Sequence, residues 1–157
     1  MDKIYDVIII GGGPAGLMTA FYCGTGGMKP VILESLDFLG GQPAALYPEK
    51  PVYDIPGLIE VNGQNLANTL TEQAMQIEPI VEFNQSVEEI KKEDGVFHIH
   101  CKSGKVFKCK ALIIATGKGA FSPIKLNVPG ENEYFGKGVM YSVKHLSDFK
   151  DQDVLKL

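Results

Sequence analysis

The stretch IYDVIIIGGGPAGLMTAFY, at residues 4–22, constrains the fold more than any other part of this 157-residue chain. Its first seven residues are predominantly apolar, which is typical of a strand buried on both faces of a parallel sheet. A glycine turn comes next, and Pro14 suits the first turn of a helix over residues 14–23. Residues 30–34 predict a second strand, so the chain begins with a βαβ unit. The sequence therefore indicates an α/β fold with a parallel sheet.

The glycine turn has the spacing GxGxxG at Gly11, Gly13 and Gly16, which is the fingerprint of a dinucleotide site. The first glycine permits a tight turn, the second lets the backbone approach a pyrophosphate, and the third lets helix and strand pack closely. The helix start then offers free N–H groups and the positive end of its dipole to the phosphates. Glu34 ends the second strand, at the usual distance for a carboxylate that accepts the ribose hydroxyls. A turn that serves only packing would not explain Glu34 at that spacing.

The rest of the chain alternates between shaped loop, helix and antiparallel strands. Residues 35–57 are rich in proline and glycine, and a loop of this length is usually functional. Asn62 can cap a helix that runs to about residue 77. The Asp94–Gly95 pair is a hairpin signal between strands. Short strands are predicted at residues 80–83, 86–92, 96–102 and 105–109, and the last three of these would form an antiparallel meander. A parallel strand is predicted at residues 111–115. Residues 154–155 would begin a further strand.

The same fingerprint serves NAD and FAD, so the choice between them depends on the segments after the first helix. An NAD-binding domain normally continues with simple βα repeats, whereas this chain places a shaped loop and a meander before the next parallel strand. Gly41 and Gln42 offer open backbone and an amide to a large flat ring, and Tyr47 adds an aromatic face or a hydroxyl. Thr116 and Gly117 end a strand where ligands bind in open α/β sheets. Together these features favour a flavin.

The segments GGGPAG, LGGQ, DIPG and IIATG, with Glu34 at its strand end, occur in an order that resembles the FAD domain of the thioredoxin-reductase-like flavoproteins. The loop ESLDFLGGQPAALYPEKPVYDIPG is most similar to the ferredoxin–NADP reductases of that group. The resemblance covers nearly the whole chain. It implies an FAD domain over residues 1–120, then a connector and the start of a truncated NADP(H)-binding domain over residues 121–157. The FAD domain would thus be incomplete at its C-terminus.

The resemblance also implies a role for each matching residue. The pyrophosphate of FAD would lie on the glycine turn, the adenosine ribose on Glu34, the flavin and its ribityl chain along Gln42 and Tyr47, and the adenine side at the backbone of Val87. Phe121 would pack near the isoalloxazine. The complete set of expected cofactor-binding residues is Gly11, Gly13, Pro14, Ala15, Gly16, Glu34, Gly41, Gln42, Tyr47, Val87, Thr116, Gly117 and Phe121. No acid–base residue stands out, and hydride transfer needs none.

Two departures from the family pattern bear on function. Thioredoxin reductases carry CxxC after a GVxY segment, but here Tyr141 is followed by Ser142, Val143, Lys144 and His145. A ferredoxin–NADP reductase lacks that dithiol too, so its partners, a ferredoxin-like carrier and NADP(H), are the ones expected, with a homodimer as the usual assembly. The sequence also contains no second GxGxxG, which leaves open a stand-alone FAD module, a fragment without turnover, or a thioredoxin-reductase-like protein without its CxxC.

Composition excludes several other classes. The net charge of −4 argues against nucleic-acid binding, and the apolar runs are too short for a membrane span. Three cysteines without CxxC argue against a disulfide framework and favour the cytoplasm. A metal site is not expected, because His98 and His100 share one strand face and Cys101 points to the other.

Overall fold

The computed structural model describes residues 3–119, 124–143 and 145–155. The α/β architecture expected from the sequence is confirmed, with helices packed on a mixed sheet. The strands are β1 Ile4–Ile10, β2 Pro30–Leu33, β3 Pro51–Val52, β4 Val61–Asn62, β5 Ile80–Glu82, β6 Val87–Glu93, β7 Val96–Cys101 and β8 Val106–Ile114. The helices are α1 Pro14–Thr25, α2 Gln42–Leu46, α3 Gly63–Met75 and α4 Glu131–Tyr134, followed by a 3₁₀ turn at Leu146–Phe149.

One six-stranded sheet, in the order β5-β2-β1-β8-β7-β6, organises the molecule. Strands β5, β2, β1 and β8 are parallel, and β7 and β6 continue the sheet in antiparallel fashion. The register aligns Ile10 of β1 with Leu33 of β2 and Ile114 of β8. Three strands therefore end side by side, and the loops after them meet at one edge of the sheet.

Alternation along β1 divides the core into two faces. Ile8 and Ile10 pack with β2 and the meander strands, while Val7 and Ile9 pack with Leu17 of α1 and its neighbours. Each fully buried aliphatic side chain of this size contributes roughly 1.5–3 kcal/mol through removal from water. Residues 7–10 of the central strand are therefore buried on both sides, as their apolar sequence predicted, while Ile4 and Asp6 are exposed.

The two strands expected at residues 105–109 and 111–115 are one continuous strand, β8. Its first half pairs antiparallel with β7, for example Phe97 with Cys109, and its second half pairs parallel with β1, for example Ile8 with Leu112. There is no turn between Cys109 and Ala111, because Lys110 between them is an exposed residue within the continuous strand. The meander is thus an extension of the main sheet.

The segment predicted as a loop over residues 35–57 contains short regular elements. Helix α2 lies within it, and β3 pairs with β4 as a two-stranded ribbon that joins the loop to the start of α3. The predicted cap is confirmed, since the Asn62 side chain accepts a 2.7 Å hydrogen bond from the N–H of Asn65. Helix α3 ends at Met75 rather than near residue 77, because Glu78 adopts a positive φ of 49°.

The strand expected at residues 154–155 is not formed, because no strand of the described chain pairs with these residues. Separately, none of the helices within the described ranges is long and apolar enough to cross a bilayer.

Candidate functional site

The candidate site lies at the edge where β1, β2 and β8 end. The N–H of Gly11 donates a 2.8 Å hydrogen bond to the carbonyl of Leu33, and the N–H of Ala115 donates one of the same length to the carbonyl of Ile10. The glycine turn is therefore tied to the ends of both neighbouring strands. This is the edge at which open α/β sheets bind their ligands.

Two of the three fingerprint glycines are required by the protein's own packing. Gly11 has a φ of +104°, and a Cβ there would lie 2.5 Å from the carbonyl oxygen of Ala115. A Cβ at Gly16 would overlap the carbonyl oxygen of Gly11, because α1 begins directly against the turn. Gly13 differs, since a Cβ there would meet only the Cα of Gly41, at 3.6 Å. Within the protein Gly13 has room for a Cβ, so apart from its suitability as an N-cap, the glycine leaves the helix start open to a ligand.

The start of α1 offers its N–H groups without competition from a capping side chain. Gly13 is the N-cap, Pro14 occupies the first turn, and the first turn carries no acidic residue. Ala15 and Gly16 come next, so the residues that follow Pro14 in the first turn carry only small side chains. The positive end of the helix dipole and uncapped N–H groups favour an anion at this point.

Glu34 lies beneath the turn and is only 5% exposed. Its Oε2 accepts a 2.7 Å hydrogen bond from the N–H of Gly12. Its Oε1 accepts bonds from the N–H of Leu36 at 2.8 Å and from the hydroxyl of Ser35 at 3.0 Å. The carboxylate therefore ties the glycine turn to the loop after β2, a role in shaping the site that the sequence did not suggest.

The LGGQ segment packs directly on the glycine turn. The N–H of Gly40 donates a 2.9 Å hydrogen bond to the carbonyl of Gly12. Gly41, with a φ of +63°, approaches Gly13 so closely that a Cβ on Gly41 would lie 2.8 Å from the Cα of Gly13. The two glycine segments, far apart in sequence, form one continuous stretch of open backbone.

Gln42 and Tyr47 lie at the two ends of α2, as its first residue and its C-cap. The Tyr47 hydroxyl donates a 2.9 Å hydrogen bond to Oε1 of Gln42, and the Tyr47 side chain is partly exposed. The structure thus brings these two predicted residues together, directly after Gly41.

Of the remaining predicted residues, Thr116 and Gly117 follow β8 at this edge, Val87 begins β6, and Phe121 falls outside the described ranges. Val87 lies shortly after Gln85, whose N–H donates a 2.8 Å hydrogen bond to the Glu34 carbonyl. Thr116 adjoins Gly11, since a Cβ on Gly11 would lie 3.2 Å from its Cα, and Gly117 comes next with a φ of +57°. Phe121 lies outside the residues that the structure describes.

Two residues that hold this site were missed from the sequence, Gly63 and Ala67 of α3. A Cβ at Gly63 would overlap backbone atoms of the loop that carries Gln42 and Tyr47, and Ala67 packs against Gly40. The one signal in the sequence was the glycine directly after the N-cap Asn62. Because glycine does not stabilise the first turn of a helix, its presence there indicates a close contact.

The cysteines, the possible metal ligands and one cavity are the other candidate groups. Cys23, Cys101 and Cys109 are free and buried, and burial raises the pKa of each thiol. Among the described residues, no group of three or more Cys, His, Asp or Glu side chains could hold a metal ion. A cavity of about 550 Å³ in the described part of the chain is lined by Phe38, Leu39, Ala44, Pro48, Gln64, Asn68, Thr71, Glu72, Phe83 and His145, none of which was predicted for cofactor binding.

A second buried carboxylate, Glu131, organises the residues after the sheet. It accepts hydrogen bonds from the N–H groups of Leu126 and Asn127, at 2.9 and 2.7 Å, and from the Tyr141 hydroxyl at 2.6 Å. The bond from Tyr141 above all, together with those from the two backbone groups, holds the pKa of Glu131 below its usual value. The same bond raises the pKa of Tyr141.

Comparisons with known proteins identify relatives of this chain. The chain is 48% identical, over its whole length, to the ferredoxin–NADP reductase of Limosilactobacillus fermentum, of which it covers 48%. It is 46% identical over 96% of its length to that of Bradyrhizobium diazoefficiens, of which it covers 44%. The chain thus spans about half the length of the curated relatives that it matches.

Solved structures share the fold. The thioredoxin reductase of T. acidophilum superposes with a TM-score of 0.70 at 31% identity, over 87% of this chain and 42% of that one. The Lactococcus lactis thioredoxin reductase gives a TM-score of 0.66 at 30% identity, over 83% and 40% of the two chains. Residues 5–154 match the family described as Pyridine nucleotide-disulphide oxidoreductase. The chain therefore belongs to the pyridine nucleotide-disulphide oxidoreductase family.

Proposed function

We propose that this chain is the FAD-binding part of an FAD-dependent oxidoreductase. The observation that carries the proposal is the junction of the glycine turn with Glu34, in which the carboxylate of Glu34 and the peptide of Gly12 are joined by a 2.7 Å hydrogen bond. For the whole protein we propose electron transfer between a ferredoxin-like carrier and NADP(H), since relatives that match this chain end to end are named ferredoxin–NADP reductase.

The residues present fit a dinucleotide of this kind. Gly13 leaves the backbone open at an uncapped helix start, which suits a pyrophosphate. Among the residues that the structure describes, Oε2 of Glu34 has one donor, Gly12, and a carboxylate oxygen can accept two hydrogen bonds. A ribose hydroxyl would supply the second.

Bound FAD would supply the redox chemistry, and the protein's share is to hold and orient it. In this proposal Gly11, Gly13, Pro14, Ala15 and Gly16 hold the pyrophosphate, and Glu34 holds the ribose. The flavin end would contact the polar and aromatic groups beyond them. These are Gly41, Gln42, Tyr47, Thr116, Gly117 and Phe121, while Val87 would contact the adenine side.

The wider organisation is also proposed. Residues 1–120 would form the FAD domain, and residues 121–157 the connector and the start of an NADP(H)-binding domain. The homodimer and the cytoplasmic location implied by the resemblance are supported only by the family and by the three free cysteines. Light scattering after gel filtration would measure the assembly directly.

The test of FAD binding is the visible absorption spectrum of the purified chain, with and without added FAD, after gel filtration. A retained two-banded flavin spectrum, lost in Glu34→Ala, is the expected result. A colourless protein that gains no flavin, or one that binds NADPH at the Glu34 site instead, would contradict the proposal.

A further inference from the structure

The loop that carries Gln42 and Tyr47 is attached to the N-terminus of α3. The N–H of Gly63 donates a 3.1 Å hydrogen bond to the carbonyl of Lys50, and the N–H of Gln64 donates a 2.8 Å bond to the carbonyl of Pro48. These N–H groups belong to the first turn of the helix, where backbone N–H groups have no hydrogen-bond partner within the helix itself. Here the helix start binds the loop.

Gly63 permits this attachment because it has no side chain. It is buried, and a Cβ there would overlap the carbonyl oxygen of Tyr47 and lie 2.7 Å from that of Pro43. Both atoms are backbone, so neither can rotate away from a methyl group. Any side chain at position 63 must therefore displace the loop or the helix.

A second close contact lies one turn further along α3. A Cβ at Gly40 would lie 2.6 Å from the Cβ of Ala67, which is 1% exposed. On its other side the same loop meets the glycine turn, where Gly41 touches Gly13. The loop is thus held between α3 and the turn, with small residues at these close contacts.

We propose that Gly63 is a positioning residue for the flavin end of the site. This inference rests on the proposed function. Gly63 contacts neither the glycine turn nor Glu34, and it acts through the backbone of Pro43 and Tyr47, the segment directly after Gln42. The pyrophosphate and ribose positions depend instead on Gly12, Gly13 and Glu34, which α3 does not hold directly. Displacing the loop should therefore weaken binding of the flavin but not of the ADP half.

The experiment compares Gly63→Ala with the wild-type chain, and with Gln64→Ala as the matched control on the neighbouring exposed position. Dissociation constants are measured separately for FAD and for ADP. In Gly63→Ala we expect FAD to bind at least tenfold more weakly and ADP to change less than twofold. The visible circular dichroism of saturating bound flavin should also change, which reports on the environment of the ring rather than on stability. Gln64→Ala should match the wild type in each measurement.

The outcomes separate the inference from the function on which it rests. Wild-type chain that binds neither nucleotide overturns the proposed function. Wild-type chain that binds FAD while Gly63→Ala binds it equally well, with an unchanged flavin spectrum, overturns the inference alone. Equal weakening of FAD and ADP also overturns it. If Gly63→Ala does not fold by far-ultraviolet circular dichroism, Asn62→Ala removes the side-chain cap at the same helix start and must give the same selective loss.

Discussion

The carboxylate of Glu34 accepts a 2.7 Å hydrogen bond from the backbone N–H of Gly12, 22 residues earlier in the chain. This bond joins the end of β2 to the turn after β1. Because Leu36 and Ser35 donate to the other oxygen, one buried carboxylate sets the shape of two adjoining loops. The residue that is proposed to bind ribose therefore also builds the site before any ligand arrives.

Glu34→Ala should weaken FAD binding and lower the stability of the chain without ligand. Removing the carboxylate leaves the buried N–H of Gly12 without its partner, which costs about 1–3 kcal/mol, and also frees the partly buried N–H of Leu36. Urea unfolding and FAD titration measure the two effects. Glu60→Ala, at an exposed position, is the control and should leave both unchanged. Unchanged stability in Glu34→Ala would contradict the structural role.

Gly13→Ala and Gly16→Ala should separate ligand contact from internal packing. At Gly16 a Cβ overlaps the carbonyl of Gly11, so we expect a loss of roughly 3 kcal/mol in unfolding free energy. At Gly13 a Cβ fits, so stability without ligand should stay within about 0.5 kcal/mol. FAD affinity should nevertheless fall at least tenfold in Gly13→Ala. Thermal melts and FAD titrations of both variants test this, and normal FAD affinity in Gly13→Ala would exclude a pyrophosphate there.

Glu131 should make the order of residues 124–143 depend on pH in the acid range. Its pKa is lowered in the folded chain, so its stabilising effect is fully present above the pKa of the unfolded chain and is lost as pH falls through the lowered folded value. Hydrogen exchange at the N–H groups of Leu126 and Asn127 measures this, and protection should fall on acidification. In Glu131→Gln protection should be reduced already at neutral pH. Glu133→Gln, exposed on the same short helix, should behave as wild type. Protection that is independent of pH in the acid range would contradict the prediction.

The three cysteines should resist alkylation in the folded chain. Burial raises the pKa of Cys23, Cys101 and Cys109, so little thiolate exists at neutral pH and access is restricted. Thiol counting with iodoacetamide should give almost no labelling in the native state and three labelled sites in guanidinium. Rapid labelling of Cys101 or Cys109 without denaturant would show that the sheet opens easily.

Local patterns in the sequence predicted the elements whose cause is local. The apolar run predicted strand β1 without error, the glycine spacing located the turn, and Asn62 marked the start of α3. The Asp94–Gly95 pair also predicted the hairpin, and in the structure both residues adopt the positive φ that such a turn requires. Each of these depends on residues within a few positions of one another. The family, and with it the α/β fold, was also evident from the order of such local motifs.

What only the tertiary structure decided depends on contacts between distant residues. Strand β8 is continuous because it forms backbone hydrogen bonds with both β1 and β7, whereas its sequence alone predicted two strands. The loop after β2 is shaped by Glu34 and by the small residues of α3, Gly63 above all, and no periodic signal marks such pairings. A single glycine or carboxylate has the same local appearance wherever it lies. The sequence by itself therefore determined the glycine turn, helices α1 and α3 and the βαβ beginning, while packing between remote segments decided how the candidate site is held together.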